Sequence, residues 1–154
     1  MPDLPARYPH VEAWLTTMAA QLSRQSRVLE LGCGAGQYAA LFESVRYIGL
    51  DVPETWYRLV RKPDVYGSAD SLPFASGSFD LIFSVAAFDY FPRPQSVLNE
   101  TQRCLSESGK AFIFTYDAPT LLMIDRNCKA EGEKRSHVAH HVFTELGLVA
   151  MANE

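Results

Sequence analysis

Cysteine is scarce in this chain of 154 residues: Cys33, Cys104 and Cys128 are the only three, and their spacing shows no pairing. An odd, unpaired set argues against a disulfide framework. Long apolar runs are missing as well. No window approaches the roughly 18 consecutive apolar residues of a membrane span, so no membrane partner is expected. The opening MPDLPARYPH has no apolar stretch behind a basic one, which a secretory signal requires. A cytoplasmic location is the default expectation. Basic excess is absent too: Lys and Arg number 14 against 18 Asp and Glu, a net charge of -4. Nucleic-acid binders usually present a basic face, so no nucleic-acid partner is expected. Arg58, Arg61 and Lys62 make the one compact basic group, and a solvated helix face accounts for it. Repeats and low-complexity tracts are also lacking.

What is present suits one folded domain over residues 1–154. Apolar residues make up 47% of the chain, ordinary for a soluble protein. A chain this long buries a core without disulfides or metal. Residues 10–22 read as an amphipathic helix, with Val11, Trp14, Leu15, Met18, Ala19 and Leu22 on one face. Residues 28–31 read as a buried strand stopped by Gly32. A helix is expected after Gly36, with Tyr38, Leu41 and Phe42 inward. A second strand covers 47–50 and ends at Asp51. Residues 54–61 suggest a short helix, and Val65 with Tyr66 a weak third strand. The turn at 75–78 leads into a fourth strand, 79–84. Pro94 opens a helix carrying Val97, Leu98, Thr101 and Leu105, which residues 106–109 end before a fifth strand at 111–115. Beyond Asp117 the pattern weakens. Apolar residues 121–124 precede a polar loop at 125–135, a helix at 137–146 and a sixth strand at 148–151. Strands alternating with helices imply an α/β fold: a doubly wound, mostly parallel, Rossmann-like sheet with helices on both faces.

Between the first strand and its helix lies ELGCGAG, residues 30–36. Glycines at alternate positions let the backbone turn sharply and approach a ligand. In open α/β sheets the ligand crevice lies at the carboxyl ends of the strands, where this loop sits. The dinucleotide fingerprint is G-x-G-x-x-G with pyrophosphate at the helix N-terminus; here the spacing is G-x-G-x-G. Glu30 precedes it and would repel a pyrophosphate but suit a cofactor bearing an ammonium group. Asp51, ending the second strand, suits ribose hydroxyls. Asp70, after the third, suits an adenine amino group. The alternative is a glycine turn that only packs a helix on a sheet, but three acids at strand ends favour a cofactor site.

With YIGLD (47–51), SADSLPFASGSFDLIFS (68–84) and LNETQRCLSESGKAFIFTYD (98–117), the chain resembles the class I S-adenosylmethionine (SAM)-dependent methyltransferases, in particular the small-molecule group. The resemblance runs from Arg27 to about Tyr116. It implies that Glu30, Gly32, Gly34 and Gly36 surround the methionine part of SAM. It places Asp51 on the ribose, Val52 against the adenine, and Asp70 at the adenine amino group with Ser71 and Leu72 beside the ring. Ser84 lines the pocket near the methionine moiety. The implied activity is methyl transfer from SAM to a small-molecule acceptor, with S-adenosylhomocysteine (SAH) as product. Catalysis there rests on holding donor and acceptor in line.

Three departures stand out. Where members often carry an acidic-His pair, this chain has Asp89-Tyr90. Asp89 is the candidate base, beside the reading of an exposed loop carboxylate. Glu107-Ser108-Gly109 replaces the usual Pro-Gly-Gly. Residues 147–154 supply most of a sixth strand and nothing of a seventh, so the carboxyl-terminal hairpin is expected to be truncated. The fifth strand then lies at an edge, and a homodimer is expected to cover it. His137, His140 and His141, near Cys128 and Glu133, fall at helical spacing, but the intervening Glu of the strong zinc motif is absent. No metal is expected. Cys33 reads as a small residue beside the cofactor, since no partner His is local. Trp14 reads as core, and Tyr8 stays open between core and lid. Three functions compete: an active methyltransferase, a SAM- or SAH-binding degenerate subunit acting through a partner protein, and a nicotinamide-linked enzyme. Glycine spacing and Glu30 weigh against the third.

Overall fold

A computed structural model of the chain describes residues 8–53 and 61–115. In chain order these contain α1 (Pro9–Ala20), β1 (Arg27–Leu31), a 3-10 turn (Ala39–Phe42), β2 (Arg46–Asp51), β3 (Val65–Tyr66), β4 (Phe79–Val85), a 3-10 turn (Phe88–Tyr90), α2 (Pro94–Cys104) and β5 (Leu105–Phe114). The strands form one sheet in the order β3-β2-β1-β4-β5, and each neighbouring pair is parallel. The winding therefore reverses between β1 and β4. In such sheets the crevice outside the carboxyl ends at that switch point receives the ligand. The fold is the expected Rossmann-like α/β arrangement.

Side chains on β1 and β4 alternate between two faces, as strand geometry requires. Val28, Leu81 and Phe83 join Val11, Leu15 and Phe42 in the cluster under α1 and the first 3-10 turn. Leu29, Leu31, Leu50 and Ile82 join Phe88, Val97 and Cys104 in the cluster under α2. Covering on both faces explains why these strands read as near-continuous apolar runs. α1 starts at a proline, where the missing N–H costs nothing, and buries Val11, Leu15 and Ala19. Trp14 stacks on Phe112 of β5, the packing role expected of it. Each large apolar side chain so buried contributes about 1.5–3 kcal/mol.

Two segments differ from expectation. The helix after Gly36 is only the four-residue 3-10 turn Ala39–Phe42, although Tyr38 and Phe42 are buried as expected. Few residues separate Gly36 from β2, and they must return the chain along the length of β1. A 3-10 turn rises about 2.0 Å per residue against 1.5 Å for an α-helix, so it covers that return with fewer residues. The second difference lies after α2. Residues 106–109 do not form a turn outside the sheet; β5 begins at Leu105, directly after Cys104. Its register jumps from Phe79↔Leu105 to Leu81↔Lys110, so the extra residues bulge from the ladder. A Cβ on Gly109 would stand 2.9 Å from the Phe79 carbonyl oxygen, so this bulge needs glycine.

β5 ends the sheet among the described residues. Among them, no helix is long and apolar enough to cross a membrane. The expectations for Arg58, the short helix over 54–61 apart from its last residue, the apolar stretch 121–124, the loop at 125–135, Cys128, Glu133, the three carboxyl-terminal histidines, the sixth strand and the truncated hairpin lie outside the described residues.

Candidate functional site

The loop from Gly32 to Gly36 crosses the carboxyl end of β1. Gly32, Gly34 and Gly36 all have positive φ, at 67°, 54° and 74°, a region that costs other L-residues about 1–2 kcal/mol. Two of them also lack room for a side chain. A Cβ on Gly32 would stand 2.5 Å from that of Ala87, and one on Gly36 would stand 2.7 Å from the Arg61 carbonyl oxygen. The glycine spacing is thus set by the neighbouring chain as much as by any ligand. Across the switch point, Ala86 holds a positive φ of 54°, an uncommon conformation outside glycine that tends to mark functional sites.

The loop spends its amides on protein acceptors. Gly32 and Cys33 donate to the Leu50 carbonyl, Gly36 to that of Cys33, and Gly34 to Asp51 Oδ2 at 2.6 Å. These four are not left to cradle a phosphate. The helix expected to supply further N–H groups is replaced by the single 3-10 turn. Acceptors dominate the site instead. Asp51 is held by the amides of Gly34 and Val52, the second at 2.7 Å.

Glu30 lies beneath the loop, 2% exposed. The Tyr47 phenol donates to its Oε2 at 2.5 Å. Burial pushes the Glu30 carboxyl up to about 8; the Tyr47 hydrogen bond opposes that rise and the Asp51 charge adds to it. Burial, then the charges of Glu30, Asp51 and Asp64, push the Cys33 thiol up as well, which makes it a poor nucleophile. Asp64 accepts from the Gly49 amide at 2.9 Å and from Arg61 at 2.7 Å. The Arg61 guanidinium also lies over the Tyr47 ring, 5.3 Å from its centre.

Asp70 stands in a second group. Ser68 Oγ donates to it at 2.7 Å and Arg93 Nε at 2.8 Å. Those two bonds, Arg93's first, hold its carboxyl below the usual range. Leu72 is buried, and its amide donates to Glu100 of α2 at 2.7 Å. Arg103, paired with Glu100, donates to the Leu72 and Phe74 carbonyls. So α2 pins the loop that carries the expected adenine contacts. Ser71 is exposed and Val52 half-buried.

At the end of β4, Ser84 is fully buried, and its hydroxyl has no hydrogen-bond partner among the described residues. Asp89 is fully buried too, and Thr115 donates to it. The reading of Asp89 as an exposed loop carboxylate is therefore corrected: the second 3-10 turn folds it inward, where it braces the end of β5. Among the described residues, no cluster of three or more His, Cys, Asp or Glu is placed to hold a metal.

The structure thus joins Glu30, the glycines and Asp51 directly, and sets Asp70 with Leu72 in a neighbouring unit. Tyr47, Asp64, Arg93 and Glu100 escaped sequence reasoning. Register alone would reveal Tyr47: it lies opposite Val28, and Gly49 lies opposite Glu30, which puts Tyr47 diagonal to the acid.

Comparison with known proteins agrees with this geometry. A family profile described as a methyltransferase domain matches residues 29–113. The malonyl-[acyl-carrier protein] O-methyltransferase of Methylococcus capsulatus is 33% identical over 108 residues, covering 62% of this chain and 39% of that protein. The tRNA (carboxymethyluridine(34)-5-O)-methyltransferase alkbh8 of Xenopus tropicalis is 30% identical over 103 residues, covering 63% of this chain and 16% of that protein. The chain thus spans less than half the length of these curated relatives. Among solved structures, the YcgJ protein from Bacillus subtilis superposes with a TM-score of 0.72 at 24% identity, over 94% of this chain and 66% of that one.

Proposed function

This chain belongs to the class I SAM-dependent methyltransferases, and we propose that it transfers a methyl group from SAM to a small-molecule acceptor. One observation carries the choice of cofactor. The loop amides of Gly32, Cys33, Gly34 and Gly36 are committed to protein acceptors, while Glu30 and Asp51 supply carboxylates beside them. Such a site fits a ligand rich in donors: an ammonium, a ribose diol and an adenine amino group. It does not fit a pyrophosphate. The buried Ser84 hydroxyl, without a partner among the described residues, fits the same ligand, because an unpaired buried hydroxyl costs about 1–3 kcal/mol.

SAM supplies a methyl group on a positively charged sulfur. The chain supplies its placement. Glu30 faces the ammonium, Asp51 accepts from the ribose hydroxyls, Val52 and Leu72 flank the adenine with Ser71, and Asp70 accepts from the adenine amino group. Gly32, Gly34 and Gly36 give the close approach that side chains would block. No base is assigned. Asp89 holds the segment after β4 against Thr115, and a transfer that rests on alignment needs no base unless the acceptor must lose a proton.

For the acceptor, the net charge of -4 favours a small molecule over nucleic acid. Calorimetry should show SAM and SAH binding in the micromolar range, about -8 kcal/mol, and no response to NAD. Asp51→Ala should weaken both by about 1.5–3 kcal/mol, the range for hydrogen bonds to a charged group. NAD binding alone would overturn the cofactor. Transfer to tRNA rather than to small acceptors would overturn the acceptor class, and binding without transfer across an acceptor panel would overturn the activity.

A further inference from the structure

Glu30 is a buried acid without an ion-pair partner among the described residues. Its surroundings are built with care for one neighbour. Gly49 lies directly opposite on β2, and a Cβ there would stand 3.0 Å from both the Tyr47 hydroxyl and Cys33 Sγ. The missing side chain leaves the space that the phenol occupies. The Tyr47 ring is held by Phe42, which stacks on it, and by Arg61, which lies over it and pairs with Asp64. The phenol is therefore fixed where it touches Glu30 Oε2.

We propose that Tyr47 is a positioning residue for the amino-acid end of the cofactor: it fixes one oxygen of Glu30 so that the other meets the ammonium, and Glu30 releases its proton to solvent as that cation arrives. The inference rests on SAM occupying the site as argued above. The physical cause is that no cation among the described residues pairs with it; Arg61, over the Tyr47 ring, pairs with Asp64. A buried carboxylate is costly unless paired, so the ligand-free acid keeps its proton until a positive charge compensates it. The described groups facing it offer it no cation. β2 presents Tyr47 and Asp51, the loop presents Cys33, and Asp64 lies beyond. On the same face, β4 presents Phe83, the first 3-10 turn presents Phe42 beside Tyr38, and α1 buries only Val11, Leu15 and Ala19. The Glu30 carboxyl, raised to about 8, agrees with a protonated resting state at neutral pH.

The test is SAH binding by calorimetry at pH 6.5 in buffers of different ionisation enthalpy, beside 5′-methylthioadenosine, which lacks the amino-acid end. Wild type should release about one proton per SAH, since the folded acid is mostly protonated there, and none with methylthioadenosine. Glu30→Gln should abolish the release. Tyr47→Phe keeps the ring but removes the donor. It should weaken SAH about tenfold at pH 7 and move the pH profile of binding up by about one unit, with methylthioadenosine changed less than about twofold. SAH binding without proton release, or equal losses for both ligands in Tyr47→Phe, would overturn the proposal. If Tyr47→Phe fails to fold by circular dichroism, the proton count in wild type and Glu30→Gln still decides. Failure of wild type to bind either ligand would remove the SAM reading itself, and this proposal with it.

Discussion

The two faces of the sheet bury similar apolar clusters but treat their carboxylates in opposite ways. Under α2, Asp70 and Glu100 are each matched to an arginine, Arg93 or Arg103, and their carboxyls lie below the ordinary range. Under α1 and its neighbouring 3-10 turn, Glu30 is buried with one oxygen on a phenol, and its carboxyl is pushed up to about 8. Acids so paired have their charge compensated by the protein itself. A buried acid without a cation is held at a cost, and such groups cluster at functional sites. The contrast separates an acid that waits for a cation from acids that already have one.

Glycine substitutions should break the contrast most sharply. Gly36→Ala combines positive φ with a contact of 2.7 Å to the Arg61 backbone and should cost about 2–5 kcal/mol in urea unfolding. Gly77 on the other flank has a φ of 69° but nothing within 4 Å of its added Cβ. Gly77→Ala should therefore cost only the backbone strain, about 1–2 kcal/mol. Equal losses would mean that crowding around the glycine loop contributes nothing.

Protonation of Glu30 gives the next effect. Unfolded, its carboxyl titrates near 4.5; folded, near 8. Between those values the folded state holds the extra proton, so ligand-free stability falls as pH rises. The slope approaches about 1.4 kcal/mol per pH unit and vanishes above the folded value. Glu30→Gln should flatten this window, so that the variant overtakes wild type in urea midpoint toward pH 8. A wild-type curve that is already flat from pH 5 to 8 would place the Glu30 charge elsewhere.

Arg93→Ala should have the smallest effect. The guanidinium is well exposed, although the Asp70 side chain is not, so unfolding near neutral pH should lose only a small part of the stability, while NMR titration should show the Asp70 carboxyl returning toward its ordinary range. Asp70 has a lowered folded value, so its contribution is present above the ordinary 3.8 and is lost as pH falls through the folded value. The variant should lose that contribution, and with it the acid-side dependence.

Much of this was legible in the residues. Strands β1, β2 and β4 announced themselves as apolar runs closed by Gly32, Asp51 and Ser84, and ELGCGAG marked the ligand end of the sheet. Asp51 was legible because it closes a strand; it does meet the glycine loop. Periodicity failed where geometry imposed lengths: the crossover after Gly36 had room for one 3-10 turn, and β5 absorbed residues 106–109 as a bulge. Turn composition at Ser106–Gly109 favours a bend, and no local rule says whether the sheet will take that bend inside a ladder.

The sequence by itself determined the fold class, the order of most strands along the chain and the family, because those follow from local apolar patterning and short motifs of contiguous residues. Only the tertiary structure decided which acids are held neutral and which are paired. Protonation depends on burial and on neighbours brought from distant positions: Tyr47 to Glu30, Arg93 to Asp70, Thr115 to Asp89. Strand register and helix docking set those distances. A carboxylate's charge in a folded chain is a property of its surroundings, and for Glu30 and Asp89 the hydrogen-bonding partner lies far away in sequence.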